Sequence, residues 1–424
     1  MPWRCEMETG KSGNFKRFLL LWGSELISSI GGGLSSFGLS VYVFTLTGSA
    51  AYTTLITLLA FLPTLLLSVP AGVLADRYDR RLLMMIGDGC SALGLVFILI
   101  CMYTGEAAIW QICLGVSISS IFSALLSPAY RATITDLLTE EEYSRATGLV
   151  GLADNARYLI SPLLAAGLLA ISDIKLLLII DICTFFLTVV ATSVVRRHIE
   201  AKPSKTSGKF IQDMKDGWHA ITDRKGLFLL IILASLISLT MGAIQTLSSP
   251  MVLDFSDSKT LGIMETICAC GMLVTGLILG IRGIKKHFVL VMSASLALAG
   301  LAMLIFGWKE NVPLITVSGF LFFSMLPLAN NCLDYLARTN IPDELQGRAW
   351  GLIGFLSGIG CVVSYAFGGL LADCLAKWQN ISVGRGSGEV IMISGGVLIF
   401  LAVLCGTRKS IRSLQHTAEA KNQS

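Results

Sequence analysis

Three charged residues stand inside segments that are otherwise apolar: Glu25, Asp154 and Arg157. A charged side chain in hydrocarbon costs about 3 kcal/mol on insertion scales, so each should face protein or water and have a partner. Asp154 and Arg157 are three residues apart on one predicted helix, which makes Asp154 the nearest candidate partner of Arg157. Glu25 is the candidate proton carrier, because a buried carboxylate gains and loses its proton as its surroundings change.

A structural role fits the same three residues. In that interpretation Asp154 and Arg157 form a static pair, and Glu25 reaches a water-filled cavity without carrying a proton. The sequence favours the functional interpretation for Glu25 and leaves the role of Arg157 open.

The chain has far more apolar surface than a soluble protein. Of its 424 residues 54% are hydrophobic and 14% charged, and the mean hydropathy is +0.73. A membrane span needs roughly 20 apolar residues, and the sequence holds twelve such segments. The fold class is therefore predicted to be an all-α polytopic membrane protein. The predicted spans are 17–45, 51–74, 82–103, 108–133, 147–171, 174–195, 227–249, 260–281, 288–308, 312–337, 349–373 and 388–407.

The basic residues predict the orientation. With the N-terminus inside, cytoplasmic segments hold 26 of the 32 lysines and arginines, and external loops hold 5. Both termini are thus expected in the cytoplasm, with the chain in the cell (plasma or inner) membrane. The net charge of +4 then reflects topology, and no loop has the dense basic patch of a nucleic-acid interface.

The long polar interval in the middle divides the spans into six and six. The predicted organisation is an N-terminal cytoplasmic tail (1–16), a six-helix bundle (17–195), a cytoplasmic linker (196–226), a second six-helix bundle (227–407) and a C-terminal cytoplasmic tail (408–424). Within the linker, apolar residues recur at helical spacing over 210–221, which predicts an amphipathic helix at the inner leaflet.

The sequence lacks the residues that several classes of protein function require. All four histidines fall in predicted loops or the tail, and no cysteine spacing indicates a disulfide framework or a metal site. The sequence contains no Gly-x-x-x-x-Gly-Lys-Ser/Thr segment for a nucleotide. We therefore expect no catalytic site, no metal and no cofactor. The expected partners are a small-molecule substrate, protons and the lipid bilayer, with a monomer as the simplest oligomeric state.

A short segment rich in charged residues separates the second and third predicted spans. Its residues are Gly72, Asp76, Arg77, Asp79, Arg80 and Arg81. A glycine allows close backbone approach, and a carboxylate is favoured beside the N-terminus of a neighbouring helix. A generic cytoplasmic loop would explain the arginines, but it would not explain the positions of Gly72 and Asp76.

The spacing Gly-x-x-x-Asp-Arg-x-x-Arg-Arg resembles the signature loop of the major facilitator superfamily. In that family the loop acts as a latch on the cytoplasmic gate. Many members carry glycine where this chain has Asp79, and the Asp-Arg-Tyr-Asp-Arg-Arg form is similar to the macrolide-efflux branch.

An internal repeat relates the two halves. The frame Arg-Ala-x-Gly starts at Arg145 and contains Gly148, and it recurs from Arg348 with Gly351. With six spans in each half the repeat is parallel, as in the two halves of this superfamily.

A run of small residues follows the first copy of this frame. Its members Ser161, Pro162, Ala165 and Ala166 partly resemble the Gly-Pro-x-x-Gly-Gly signature of antiporters in the family, and the repeat places Gly368 and Gly369 opposite the two alanines. Small residues also permit plain helix packing, which fits this run equally well.

The resemblance implies twelve transmembrane helices in two six-helix bundles that alternate access to a midplane site. It also implies an exporter of a hydrophobic or amphipathic small molecule by proton antiport, and so macrolide efflux and antibiotic resistance. Other cargo on the same fold, such as a siderophore or a lysophospholipid, remains an alternative, and a membrane enzyme or signalling protein is a more distant one. By resemblance the tentative substrate cavity includes Ser29, Ser36, Ser120, Gln245, Phe323 and Asn330.

The spans contain other acids, and five of them bear on the argument. Asp88, Asp334 and Asp373 are near predicted helix ends, where capping or interfacial water suffices for a carboxylate. Asp181 and Glu265 lie in the outer parts of their helices, and the sequence indicates no partner for either.

Overall fold

The computed structural model describes residues 3–196, 225–284, 286–341 and 346–421. Throughout this part of the chain every regular element is an α-helix. The amphipathic helix predicted within the linker lies outside the described residues.

Seven helices precede the linker and seven follow it in the described ranges. They are α1 (Trp3–Thr47), α2 (Ala50–Arg77), α3 (Arg80–Thr104), α4 (Ile109–Ser123), α5 (Leu126–Leu137), α6 (Glu140–Leu169), α7 (Ile174–Arg196), α8 (Lys225–Leu253), α9 (Ser258–Arg282), α10 (Phe288–Trp308), α11 (Val312–Asn340), α12 (Gln346–Gln379), α13 (Val383–Thr407) and α14 (Lys409–Lys421).

Side-chain caps define several helix starts. Asp79, Asp257, Asn311 and Ser382 each accept a hydrogen bond from a backbone N–H in the first turn that follows. Asp257 lies outside the span, and the Thr260 hydroxyl and backbone N–H hold its carboxyl pKa below the usual value.

Eleven stretches of the described chain are long and apolar enough to cross a membrane. They include the paired helices α4 and α5, which form one stretch, Ile109–Leu137. Helix α6 contains most of the predicted fifth span and has 30 residues, but Asp154, Asn155 and Arg157 place three polar residues in its middle. The chain is thus a multi-pass membrane protein.

The chain forms two compact units. Unit 1 comprises Met1–Val43 and Ile56–Thr206, and unit 2 comprises Phe44–Leu55 and Ser207–Ser424. The first turn of α2 therefore belongs to unit 2 and the rest of that helix to unit 1.

In unit 1, helix α1 lies directly along α6. The Trp22 indole N–H donates to the Leu149 carbonyl oxygen over 2.6 Å, and the Ser161 hydroxyl donates to the Ile30 carbonyl oxygen over 3.0 Å. Gly33 permits this approach, because a Cβ there would lie 3.1 Å from Arg157 Cγ and closer still to Ser161. An apolar core at the end of the unit near Asp79 joins α1, α2, α3, α5, α6 and α7: Phe18, Leu21, Ala75, Leu83, Met84, Ala129, Tyr130, Ile134, Leu137, Ala146 and Val195.

Unit 2 repeats this contact between α8 and α12. A Cβ on Gly242 would lie 2.9 Å from Ser364 Cβ, and Ser364 follows Ser161 by the 203 residues that separate Arg145 from Arg348. The Ser235 hydroxyl donates to the Leu356 carbonyl oxygen over 2.8 Å in the same interface. In each unit, the corresponding pair of helices therefore packs closely through a contact between a glycine and a serine.

The glycine pair Gly32 and Gly33 tests this packing. Gly33→Ala should lower the thermal midpoint, because overpacking costs about 1–3 kcal/mol and exceeds the roughly 1 kcal/mol gained in helix propensity. Gly32→Ala is the matched control, since no atom of the described chain lies within 4 Å of its Cβ position, and it should be neutral or stabilising. Unfolding of both purified variants, followed by circular dichroism, measures the difference. Equal midpoints would contradict the close approach of α1 to α6.

Candidate functional site

Glu25 lies on the side of α1 that faces α6. It stands between Trp22, which donates to α6, and Ser29, whose hydroxyl donates to the Ala153 carbonyl oxygen over 3.4 Å. The side chain is half-buried and its Oε2 atom is shielded from solvent. The carboxylate predicted to carry the proton is thus held in a helix interface.

Arg157 belongs to the same interface. Its aliphatic stem packs beside Gly33, and its positive charge lies close enough to act on the carboxylate of Asp181 in α7. The side chain of Asp154, the partner predicted from spacing, lies outside the described part of the chain. Asp181 is therefore a carboxylate within electrostatic range of Arg157 that the sequence did not indicate.

Asp88 of α3 and Asp181 of α7 are both buried in unit 1. Only 1% of Asp88 and 2% of Asp181 is exposed, and the two carboxylates lie within electrostatic range of each other. The sequence contained a signal for this pair, because Thr184 and Thr188 continue the face of Asp181 at helical spacing. Periodicity alone could not show that α3 brings a second carboxylate to that face.

The charged loop after α2 is built from ion pairs and backbone contacts within unit 1. Asp79 caps α3 and accepts from Arg196 Nε over 2.7 Å. Arg80 pairs with Asp136 Oδ2 at 2.8 Å and donates to the Ala132 carbonyl oxygen over 3.0 Å. The loop therefore fastens the ends of α2 and α3 to α5 and α7.

The remaining loop residues differ in their surroundings. Arg81 is buried and Arg77 is exposed. No atom of the described residues lies within 4 Å of a Cβ placed on Gly72, so the close backbone approach expected there stays a prediction. The side chain of Asp76 lies outside the described part.

The repeated frame occupies equivalent places at the starts of α6 and α12. Arg145 and Gly148 lie in the first turns of α6, and Arg348 and Gly351 lie in the first turn and a half of α12. A Cβ on either glycine would meet no atom of the described chain within 4 Å. These glycines are thus not required for packing inside their own units.

The small-residue run of α6 is a packing seam in this structure. Ser161, Ala165 and Ala166 are buried, and Pro162 lies within the helix. Its counterparts in unit 2 differ from one another. Gly368 is buried, but a Cβ there would make only ordinary contacts, the nearest at 3.7 Å, whereas a Cβ on Gly369 would collide with the first turn of α2.

The tentative cavity residues of unit 1 fall into two groups. Ser120 is buried and donates to the Leu59 carbonyl oxygen over 2.9 Å, so its hydroxyl is engaged in packing α4 against α2. Ser29 is bonded to α6, and Ser36 is exposed. Of the unit 1 candidates, Ser36 is the one best placed to meet a substrate.

In unit 2 the tentative cavity residues are more accessible. Gln245 Oε1 accepts from the Tyr365 hydroxyl over 2.8 Å, which leaves the Gln245 amide group as a possible donor. Phe323 is half-buried and packs edge-on against Phe322, and Asn330 is exposed. An amide, an aromatic ring and a second amide suit an amphipathic ligand.

Comparison with known proteins agrees with this architecture. The family model described as Major Facilitator Superfamily matches residues 21–365. A crystal structure of a bacterial homolog to the human lysosomal transporter Spinster, inward-facing and unoccupied, superposes with a TM-score of 0.72 over 96% of this chain and 98% of that chain, at 12% identity.

Relatives with known names are transporters. Macrolide efflux protein A of Streptococcus pyogenes is 26% identical over 417 residues, which cover 95% of this chain and 99% of that protein. The staphyloferrin A transporter of Staphylococcus aureus is 24% identical over 261 residues, covering 60% of this chain and 65% of that protein. The family model matches most of the chain, and the chain has a helical multi-pass fold. This chain therefore belongs to the major facilitator superfamily of transporters.

Proposed function

We propose that the chain exports a hydrophobic or amphipathic small molecule of the macrolide type by proton antiport with alternating access. The observation that carries the proposal is Glu25, a carboxylate held in the α1–α6 interface two turns before the Arg157 contact at Gly33. An ionisable group at such a depth is a functional candidate by default. The relative from Streptococcus pyogenes, named for macrolide efflux, supports the cargo class.

Glu25 carries the proton in this proposal, with Asp154 and Arg157 as the charges that modulate it. Movement of α1 along α6 would change the distance between Glu25 and the arginine. Since a nearby positive charge favours the ionised carboxylate, such movement would release the proton. The chain would act as a monomer in the cell membrane, with both termini in the cytoplasm, as the distribution of basic residues supports.

A second cargo has a specific observation in its favour. The staphyloferrin A transporter is a relative across 60% of this chain, so a siderophore on the same fold is the alternative substrate. A siderophore presents several oxygen anions, whereas the cavity candidates that keep accessible surface in the described chain are the exposed Ser36 and Asn330 and the half-buried Gln245 and Phe323. This lining favours the amphipathic drug.

Efflux measured in everted vesicles tests the proposal. A radiolabelled macrolide should accumulate when a proton gradient is imposed, and Glu25→Gln should reduce the gradient-driven component to background because glutamine cannot carry a proton. Asp334→Asn is the matched control, since it removes an exposed carboxylate from a span of unit 2 and should leave transport intact. Gradient-driven efflux that survives Glu25→Gln would move the carrier to another acid. No macrolide movement by the wild type, combined with movement of a labelled siderophore, would favour the second cargo.

The charged loop is proposed to latch the cytoplasmic gate through Asp76. A carboxylate beside a helix N-terminus is worth about 1–2 kcal/mol when partly buried. Asp76→Asn should therefore lower efflux about five- to thirtyfold while the amount of protein in the membrane stays unchanged. Immunoblotting of membranes together with vesicle efflux measures both quantities.

Asp136→Asn is the control for the latch. It removes the partner of Arg80, a partly exposed ion pair inside unit 1, and should cost at most about 1 kcal/mol of stability with efflux close to normal. Normal efflux by Asp76→Asn would remove the latch role.

A further inference from the structure

A polar cavity of about 200 Å³ lies in unit 2, at the end of the helices where α10 begins and α13 ends. Its third wall is helix α14. Neither the proposed proton path nor the tentative substrate cavity includes any of its residues. The lining combines cationic, polar and apolar groups from the three helices and the turn before α10: His287, Val289, Leu290, Gly406, Arg412 and Gln415.

Helix α14 is held firmly against unit 2, so the cavity has fixed walls. Ile411 and Leu414 are 0% and 5% exposed, and the Asn340 side-chain amide donates to the Leu414 carbonyl oxygen over 3.2 Å. The Val289 backbone N–H at the start of α10 donates to Gln415 Oε1 over 3.1 Å. The cavity is therefore formed by tertiary contacts of α14 with α10 and α11.

Arg412 presents its guanidinium group to the cavity in a defined orientation. Its Nε donates to the Gly406 carbonyl oxygen over 2.8 Å, which leaves the two terminal nitrogens as donors. In the part of the chain that the structure describes, no carboxylate forms a salt bridge with Arg412. The His287 imidazole adds a further donor. An arginine with free terminal N–H groups matches the oxygens of a phosphate group.

The surroundings of the cavity are strongly basic. Segments 282–290 and 405–415 each contain three lysines or arginines and no acidic residue. Lys286, Arg408 and Lys409 are exposed, and none of them forms a salt bridge within the described ranges. Clusters of four to eight basic residues directly beyond a membrane span attract anionic phospholipids, and basic pockets between spans bind their head groups.

Leu290 distinguishes a lipid from a free phosphate compound. It is the third residue of α10, which is long and apolar enough to cross a membrane, and 67% of it is exposed. An exposed leucine this close to the start of a span can lie against acyl chains, while Arg412 and His287 lie on the side of the head groups. A ligand that satisfies both parts of the cavity has a phosphate group joined to hydrocarbon chains.

We propose that this cavity binds the phosphate head group of an anionic phospholipid, with Arg412 as the principal phosphate ligand and His287 as a second donor. The assignment to the cytoplasmic leaflet rests on the orientation given under the proposed function, whereas the binding itself does not. The bound lipid contacts α10 and α14 together. It therefore stabilises the docking of α14 on unit 2.

Thermal unfolding of the purified full-length protein in an uncharged detergent tests the proposal. Dioleoylphosphatidylglycerol should raise the midpoint in a saturable manner, and dioleoylphosphatidylcholine, which has the same chains and no net charge, should raise it much less. Arg412→Gln should increase the lipid concentration for half the maximal shift at least about tenfold, because charge-assisted hydrogen bonds to the phosphate are lost. Arg131→Gln is the matched control, since it removes an exposed arginine from unit 1 and should leave this concentration unchanged.

Glycerol 3-phosphate separates the two possible sources of the phosphate group. It carries the phosphate ester without acyl chains and should shift the midpoint only at far higher concentrations than the lipid. An equal potency of glycerol 3-phosphate and phosphatidylglycerol would overturn the lipid assignment. Equal shifts with the two lipids, or equal losses in Arg412→Gln and Arg131→Gln, would overturn the site.

A second variant covers the case in which Arg412→Gln does not fold, as judged by size-exclusion chromatography. Lys409 is exposed at the start of α14, and Lys409→Gln should increase the half-saturating concentration of phosphatidylglycerol about fivefold. An unchanged concentration in that variant would overturn the proposal. Because no step uses a macrolide or a proton gradient, failure of export leaves these results unchanged, and absence of lipid binding leaves export through Glu25 intact.

Discussion

The close approach of α1 to α6 and α7 is the constraint on which the rest of unit 1 depends. Gly31 lies against Asp181 and Thr184, and Gly33 lies against Arg157 and Ser161, so a side chain at either position would force a neighbouring helix away. Between lipid-embedded helices, association rests on van der Waals packing and hydrogen bonds, and small residues make such contacts possible. The same two glycines thus determine how near the charged residues of three helices lie to one another.

The pattern of apolar segments was sufficient to predict the helical membrane fold, because a span has a fixed minimum length and no alternative way to satisfy its backbone in lipid. The repeated Arg-Ala-x-Gly frame likewise marks corresponding helix starts, at Arg145 in α6 and Arg348 in α12. These features are local or periodic, and so they can be read from one chain. The role of Glu25 stays a prediction, since burial and position alone do not reveal a proton.

Contacts between segments that are distant in the chain could not be predicted from the sequence. Spacing makes Asp154 the nearest candidate partner of Arg157, which stays a prediction, and the sequence does not indicate that Asp181 on another helix lies within range of the same charge. Asp88 was assigned to capping near a helix end, but it is buried beside α7. In each case the result depends on which faces of two helices meet, and helical periodicity does not specify that.

The charges of unit 1 connect its structure to the proposed export. Glu25, Arg157 and Asp181 lie on three helices that share one interface, so protonation of one group and displacement of α1 act on the others. Unit 2 repeats the glycine–serine contact, but its half-buried carboxylate Glu265 faces Ser248 and Ser249, and no arginine of the described chain is found to act on it. The proposed coupling therefore resides in unit 1, whereas the repeat itself supplies the common helix packing.

Proton movement in proteoliposomes measures the central claim most directly. Purified protein is reconstituted with a pH-sensitive dye inside the vesicles, and a macrolide concentration gradient is imposed across the membrane without an initial pH difference. Coupled antiport predicts that macrolide flowing down its gradient drives protons in the opposite direction, with no dye response in Glu25→Gln. Macrolide movement without any proton movement in the wild type would contradict it.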